Sequence, residues 1–215
     1  MNTRPTLLCL VRHGETAWNA ERRIQGQIDI PLNATGEEQA RATAVALEGQ
    51  RFDAAFCSDL VRARATALAV TERLGVPLMA DPQLRERHYG LFQGLTYAEA
   101  EQRHPEDFAR HARRDPDYAF PQGGESLAAF DARVRAALAR IAGLHAGGRV
   151  LVVAHGGVLD IAHRMATGKT LSQPRDFELP NAALNWIAHD GGGWRLVHWA
   201  DRRHLHHSRD ELPRG

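Results

Sequence analysis

The chain has 215 residues, with Lys+Arg 27 against Asp+Glu 26 and a formal charge of +1. That balance gives no global field to draw the chain to nucleic acid or to an anionic membrane. The length suits one well-buried domain, and no run approaches the roughly 18 apolar residues of a membrane span.

The N-terminal MNTRPTLL has too short an apolar segment for a signal peptide. Cys9 and Cys57 lie within apolar, strand-like runs. Small buried thiols are commoner there than a disulfide or a metal pair. The expectation is a soluble, cytoplasmic protein.

In chain order, Leu7 to Val11 reads as a strand buried on both faces, and the chain then turns abruptly polar at Arg12-His13-Gly14-Glu15-Thr16. A polar loop, Glu21 to Asn33, follows. Thr35 to Glu38 (TGEE) fits a capping box opening an alanine-rich helix to about Leu47. Phe52 to Cys57 reads as a second strand, and Ser58 and Asp59 start a helix through Leu74, which Gly75 and Pro77 end. Val76 to Ala80 suits a short strand and Gln83 to Gly94 a mixed loop. Thr96 to Arg114 is helical but interrupted at Pro105. Glu125 to Leu144 is a long amphipathic helix whose apolar stripe is core packing. RVLVVA (149–154) is the clearest buried strand, leading to His155-Gly156-Gly157 and a helix through Thr167. Ala183 to Ala188 and Trp194 to Ala200 suit a closing hairpin. Beyond Asp201 the tail looks poorly anchored, and His204, His206 and His207 read as part of a frayed polar end. Strands separated by helices imply parallel βαβ units, with a sheet covered on both faces.

Three strand ends carry the same chemistry. They deliver Arg12-His13-Gly14, Ser58-Asp59 with Arg62, and His155-Gly156-Gly157. In a parallel sheet such ends share one edge, where ligands bind. Guanidinium groups match phosphate oxygens and stay charged. Nearby positive charge favours a neutral histidine, and a neutral imidazole is a usable nucleophile toward phosphorus. Phosphoryl transfer asks mainly for positioning and for positive groups around the equatorial oxygens.

These residues resemble the signature of the histidine phosphatase (phosphoglycerate mutase-like) superfamily. The blocks are Arg12-His13-Gly14-Glu15-Thr16 with Trp18-Asn19, Gln25-Gly26, Asp29 to Leu32, Ser58 to Ala63, Leu84-Arg85-Glu86, Gly123-Gly124-Glu125-Ser126 and Ala154-His155-Gly156-Gly157. They fall in family order from residue 7 to about residue 160. The resemblance implies a three-layer α/β/α sandwich with a mostly parallel central sheet, phosphoglycerate mutase-like. His13 would be the nucleophile, forming a phosphohistidine, with Arg12, Arg62 and His155 around the phosphoryl group and Asn19 adding a hydrogen bond. Glu86 would be the general acid and then the general base. Thr16, Gln25 and the Gly156 backbone are secondary candidates for oxygen contacts. No cofactor and no metal is implied.

The resemblance covers hydrolases and mutases. The compact segment between Glu86 and Gly123 favours a phosphatase, because the family's bisphosphoglycerate-dependent mutases usually carry a long insertion there. Glu86-Arg87-His88-Tyr89-Gly90 instead resembles the mutase loop, and Gln93 stands where phosphatase relatives often have an acid. A non-catalytic phosphate-binding module ranks below both, since His13 and Glu86 are present. One domain over 1–215 is expected, with residues 96–124 as a lid insertion and 201–215 as a tail. His104, Arg110, His111, Arg113 and Arg114 lie in that lid, where a solvated basic face competes with a docking face for a second acidic group. The expected partner is a small phosphorylated substrate, without nucleic acid or membrane; a homodimer is compatible with the sequence.

Overall fold

Alternate residues of the first strand face opposite layers, and the rest of the architecture follows. The computed structural model describes residues 4–212. In β1 (Thr6–Arg12), Leu8 and Leu10 pack into one apolar cluster, Cys9 and Val11 into another. Both faces being buried, the strand reads as a continuous apolar run. It pairs in parallel with β4 (Arg149–Ala154), from Leu7↔Arg149 to Arg12↔Ala154, and antiparallel with β5 (Leu184–Asp190). With β2 (Ala54–Cys57), β3 (Leu78–Ala80) and β6 (Gly193–Asp201) it forms a six-stranded sheet in the order β3-β2-β4-β1-β5-β6. The first four strands run parallel and the terminal hairpin β5–β6 is antiparallel.

One face carries α2 (Ala34–Ala46) and α3 (Val61–Leu74), which bury Ala44, Ala63, Ala67 and Val70. The other carries α6 (Leu127–Leu144) and α7 (Gly156–Thr167), through Phe130, Val134, Leu138, Val158 and Ile161. The expected three layers are present. A third, aromatic cluster of Ile24, Phe92, Tyr118 and Phe120 packs with Tyr97 of α4 (Tyr97–Arg103) and Phe108 of α5 (Pro105–Ala112). The break between α4 and α5 falls at His104, ahead of Pro105, as a proline at the first helical position allows. No helix among the described residues is long and apolar enough to cross a membrane.

Four local expectations change. Asn33, not Thr35, caps α2, its side chain accepting the Gly36 N–H at 2.8 Å while its amide donates to Glu15 at 3.0 Å. Helix α3 begins at Val61 rather than at Ser58, because Ser58 still donates its N–H to Val153 in the sheet. The cap of α3 comes from afar: Asp29 Oδ1 accepts the Val61 N–H at 2.7 Å. Helix α6 starts at Leu127 under a Ser126 cap. The tail is docked instead of frayed, with His204 Nε2 3.3 Å from Thr43 Oγ1, Ser208 donating to the Asn181 carbonyl at 2.7 Å, and Asp210 on Arg175. Two buried arginines, Arg12 and Arg175, require counter-charge, and the tail supplies it. His206 and His207 remain exposed.

Candidate active site

Because β1, β2 and β4 are parallel, their C-terminal ends lie on one edge, and there the sequence-predicted residues meet. His13 continues β1 by one more rung, its N–H donating to the Ala154 carbonyl at 3.0 Å. Gly14 then passes so close to Gly36 that a Cβ at position 14 would collide with the Gly36 backbone. This contact locks the strand end against the start of α2.

The imidazole orientation follows from its hydrogen bonds. His13 Nδ1 lies 2.7 Å from the Gly14 carbonyl, which can only accept, so Nδ1 carries the proton. Nε2 is left with its lone pair and accepts from Arg62 Nε at 3.2 Å. Burial, then Arg62 and Arg12, hold the His13 pKa well below the ordinary histidine range. Arg62 sits in the first turn of α3, which Asp29 positions; its other nitrogens donate to the Ile28 and Gly26 carbonyls at 2.9 and 2.7 Å. Burial lowers its pKa to about 10, so it stays a cation.

His155 occupies the N-cap position of α7, with its ring centre 5.2 Å from that of His13. Both its ring nitrogens are buried without a partner, as is Arg12 Nε. Buried polar atoms are ordinarily paired, and orphans converging on one spot mark a place where a polar ligand belongs. Burial, then Arg62, keeps His155 neutral as well.

Glu86 completes the set. Its carboxylate accepts the Arg87 N–H at 2.7 Å and the Gly157 N–H at 2.9 Å. Burial raises its pKa despite those two donors and the nearby Arg62 and Arg12. The loop holding it is fixed by Arg133, which pairs with Glu125 at 2.8 Å and donates to the Arg85 carbonyl at 3.0 Å.

The secondary candidates divide. Asn19 and Gln25 both line the site, and Gln25 Oε1 is another buried atom without a partner. Thr16 is committed to local structure: with Asn19 it forms the capping box of α1 (Ala17–Ala20), so it orients Asn19 rather than facing the site. Gly156 lies against Arg12, where a Cβ would stand 3.5 Å from Arg12 Nε. Asp59 turns away and pairs with Arg85 at 2.5 Å.

Beside this cradle opens a cavity of about 320 Å³, walled mainly by Tyr89, Tyr97, Phe108, His111, Phe130 and Leu179, and sharing Tyr89 and Tyr97 with the cradle. The basic residues of segment 96–124 are largely engaged with the protein. Arg110 pairs with Asp115 and lies over Tyr118, and Arg114 pairs with Asp160. Burial, then Arg87 and Arg114, pushes the His111 pKa down to about 3. Sequence reasoning missed Tyr89, Tyr97, Arg175 and, above all, Glu211. The Glu211 carboxylate lies against both terminal nitrogens of Arg12 and accepts from Asn19 Nδ2 at 2.5 Å.

The profile of the histidine phosphatase superfamily (branch 1) matches residues 8–202. The chain belongs to that superfamily. Two Arabidopsis thaliana proteins are similar to this chain. Phosphoglycerate mutase-like protein 4 is 39% identical over 92% of this chain and 86% of its own. Metal-independent phosphoserine phosphatase is 40% identical over 93% and 83%. Among solved structures, Bacillus stearothermophilus YhfR superposes with a TM-score of 0.85 at 33% identity, covering 93% of this chain and 98% of that one. Members with such names are phosphatases or mutases, and this chain brings arginines, neutral histidines and a carboxyl with a raised pKa together at one sheet edge.

Proposed function

We propose that the protein is a phosphomonoesterase acting on small phosphorylated metabolites through a phosphohistidine at His13, with Glu86 as general acid and base. The carrying observation is His13 Nε2, kept unprotonated by the Nδ1–H bond to Gly14 and aimed at the cluster of Arg12, Arg62 and His155. In the first half-reaction, Nε2 forms a bond to phosphorus as the ester P–O bond breaks, and the Glu86 carboxyl gives its proton to the leaving oxygen. In the second, the Glu86 carboxylate takes a proton from water as the water oxygen attacks phosphorus and the P–N bond breaks. The raised pKa of Glu86 supports its starting the cycle protonated. Arg62 Nε, now on His13 Nε2, would transfer its hydrogen bond to a phosphoryl oxygen as the new bond forms.

A phosphoglycerate mutase reading uses the same groups and is favoured by the Glu86–Gly90 loop. One experiment separates the two: the purified protein is given a panel of phosphomonoesters, and 3-phosphoglycerate with its bisphosphate primer. Release of inorganic phosphate from several esters without 2-phosphoglycerate is the expected result. Rapid interconversion with little phosphate released would overturn it in favour of the mutase. His13→Ala should lose turnover and acid-labile phosphoenzyme together; retained turnover in that variant refutes the mechanism.

A further inference from the structure

The chain's own C-terminal segment occupies part of the cradle. After β6 it is fastened step by step: the His207 carbonyl accepts from Gln39 at 2.9 Å, and the Arg209 carbonyl from the Asn181 N–H at 3.2 Å. Asp210 accepts from Arg175 at 2.6 and 3.3 Å and from the Leu179 N–H at 3.1 Å. Glu211 reaches Arg12 and Asn19, and its side chain is only 7% exposed. Leu212 lies over Gly156, where an added Cβ would stand 2.5 Å from Leu212 Cδ1, and its carbonyl accepts from Arg175 at 2.6 Å.

We propose that the phosphate cradle is also the docking site for an acidic peptide, the Asp210–Glu211–Leu212 segment of the same chain, which acts as a built-in competitor of the phosphoryl group. The inference rests on the cradle being a phosphoryl site, as proposed above. A carboxylate and a phosphoryl group offer guanidinium the same paired oxygens, so one can stand in for the other. The imitation is incomplete: with Glu211 seated, both His155 nitrogens, Arg12 Nε and Gln25 Oε1 remain without partners. A phosphoryl group has more oxygens to offer the donors among them, Arg12 Nε and the one N–H of a neutral His155, so a ligand with enough binding energy expels the tail. Orthophosphate brings only its oxygens, whereas an ester also fills the adjoining cavity; the tail weakens both by the same factor, and an ester displaces it at lower concentration. Leu212 walls both cradle and cavity, so its departure opens the two together.

The test is calorimetric titration of orthophosphate into the unaltered chain, Glu211→Gln, and a chain lacking residues 210–215. A competitor seated in about nine of ten molecules weakens apparent affinity about tenfold. Both variants should therefore bind phosphate about tenfold more tightly than the unaltered chain. By reciprocity, phosphate added to the unaltered chain should speed hydrogen exchange across residues 208–212, an effect a merely structural tail would not show. Equal or weaker phosphate binding by both variants, with exchange unchanged, overturns the proposal. Absence of phosphate binding in all three chains refutes the phosphoryl reading of the cradle itself, and the competitor with it.

Discussion

Replacing Gly157 with alanine is expected to disable Glu86 without unfolding the protein. A Cβ at 157 would fall inside contact distance of Glu86 Oε1 and stand 3.0 and 3.1 Å from Phe130 Cε1 and Cζ. Phe130 is 1% exposed in the core and cannot give way, so the carboxyl must rotate and lose its 2.9 Å bond from the Gly157 N–H. Overpacking costs about 1–3 kcal/mol. Alanine in place of a helical glycine recovers about 1 kcal/mol. The remainder is small beside a typical stability of about 5–15 kcal/mol, so the variant should melt cooperatively. General acid catalysis contributes about 10²–10⁴ in rate, and a displaced carboxyl should lose the lower end of that range. The expected fall in kcat/KM is therefore about 100-fold for alkyl phosphates, or about 2.7 kcal/mol of barrier. Aryl phosphates with acidic phenols, which leave without a proton, should lose less than about tenfold. Steady-state kinetics on both ester series, with a melting curve for each protein, decides the matter. Equal slowing of the two series, or unchanged kinetics in a folded variant, would refute the placement of Glu86 as the acid.

Other expectations follow from the same geometry. His111 has a folded pKa lowered to about 3 from 6.5, so the unfolded state gains a proton first and stability falls as pH drops below 6.5 toward 3. His111→Leu should flatten that fall by up to about 1.4 kcal/mol per pH unit, read from urea midpoints; an unchanged slope would contradict the burial of a neutral ring. Asp29→Ala removes the remote cap of α3 and should cost about 1 kcal/mol, while weakening phosphate binding through a displaced Arg62. A lower urea midpoint with unaltered phosphate affinity would show that the cap does not position that arginine.

The parts of the fold that were legible share one property: their signal is local. β1 and β4 are continuous apolar runs because both faces are buried, and Arg12, His13 and His155 announce themselves where those runs stop. Glu86 and Arg62 are isolated side chains whose meaning comes from the order of the blocks around them. What could not be read depends on partners distant in sequence. Asn33 and Thr35 are both good caps, and only the contact with Glu15 decides for Asn33. Asp29 gives no hint that it caps a helix beginning at Val61. Glu211 is one acid in a polar tail without periodicity, and its docking is dictated by Arg12 and Asn19, with Arg175 holding its neighbours Asp210 and Leu212.

The placement of β1 at the middle of the sheet bears on how the protein is made. Its parallel neighbour begins at Arg149 and its antiparallel neighbour at Leu184, so the first strand synthesised is among the last to be paired. At about 5–20 residues per second, Leu7 to Val11 waits on the order of ten to thirty seconds for β4 to be synthesised. Its unpaired backbone and apolar side chains on both faces make it a ready template for pairing with another chain. The two strands that later shield it also carry the chain past the site, so burial of the nascent strand and assembly of the chemistry are one event. Expression at lower temperature or with more chaperone should therefore raise the yield of folded protein chiefly by protecting this strand.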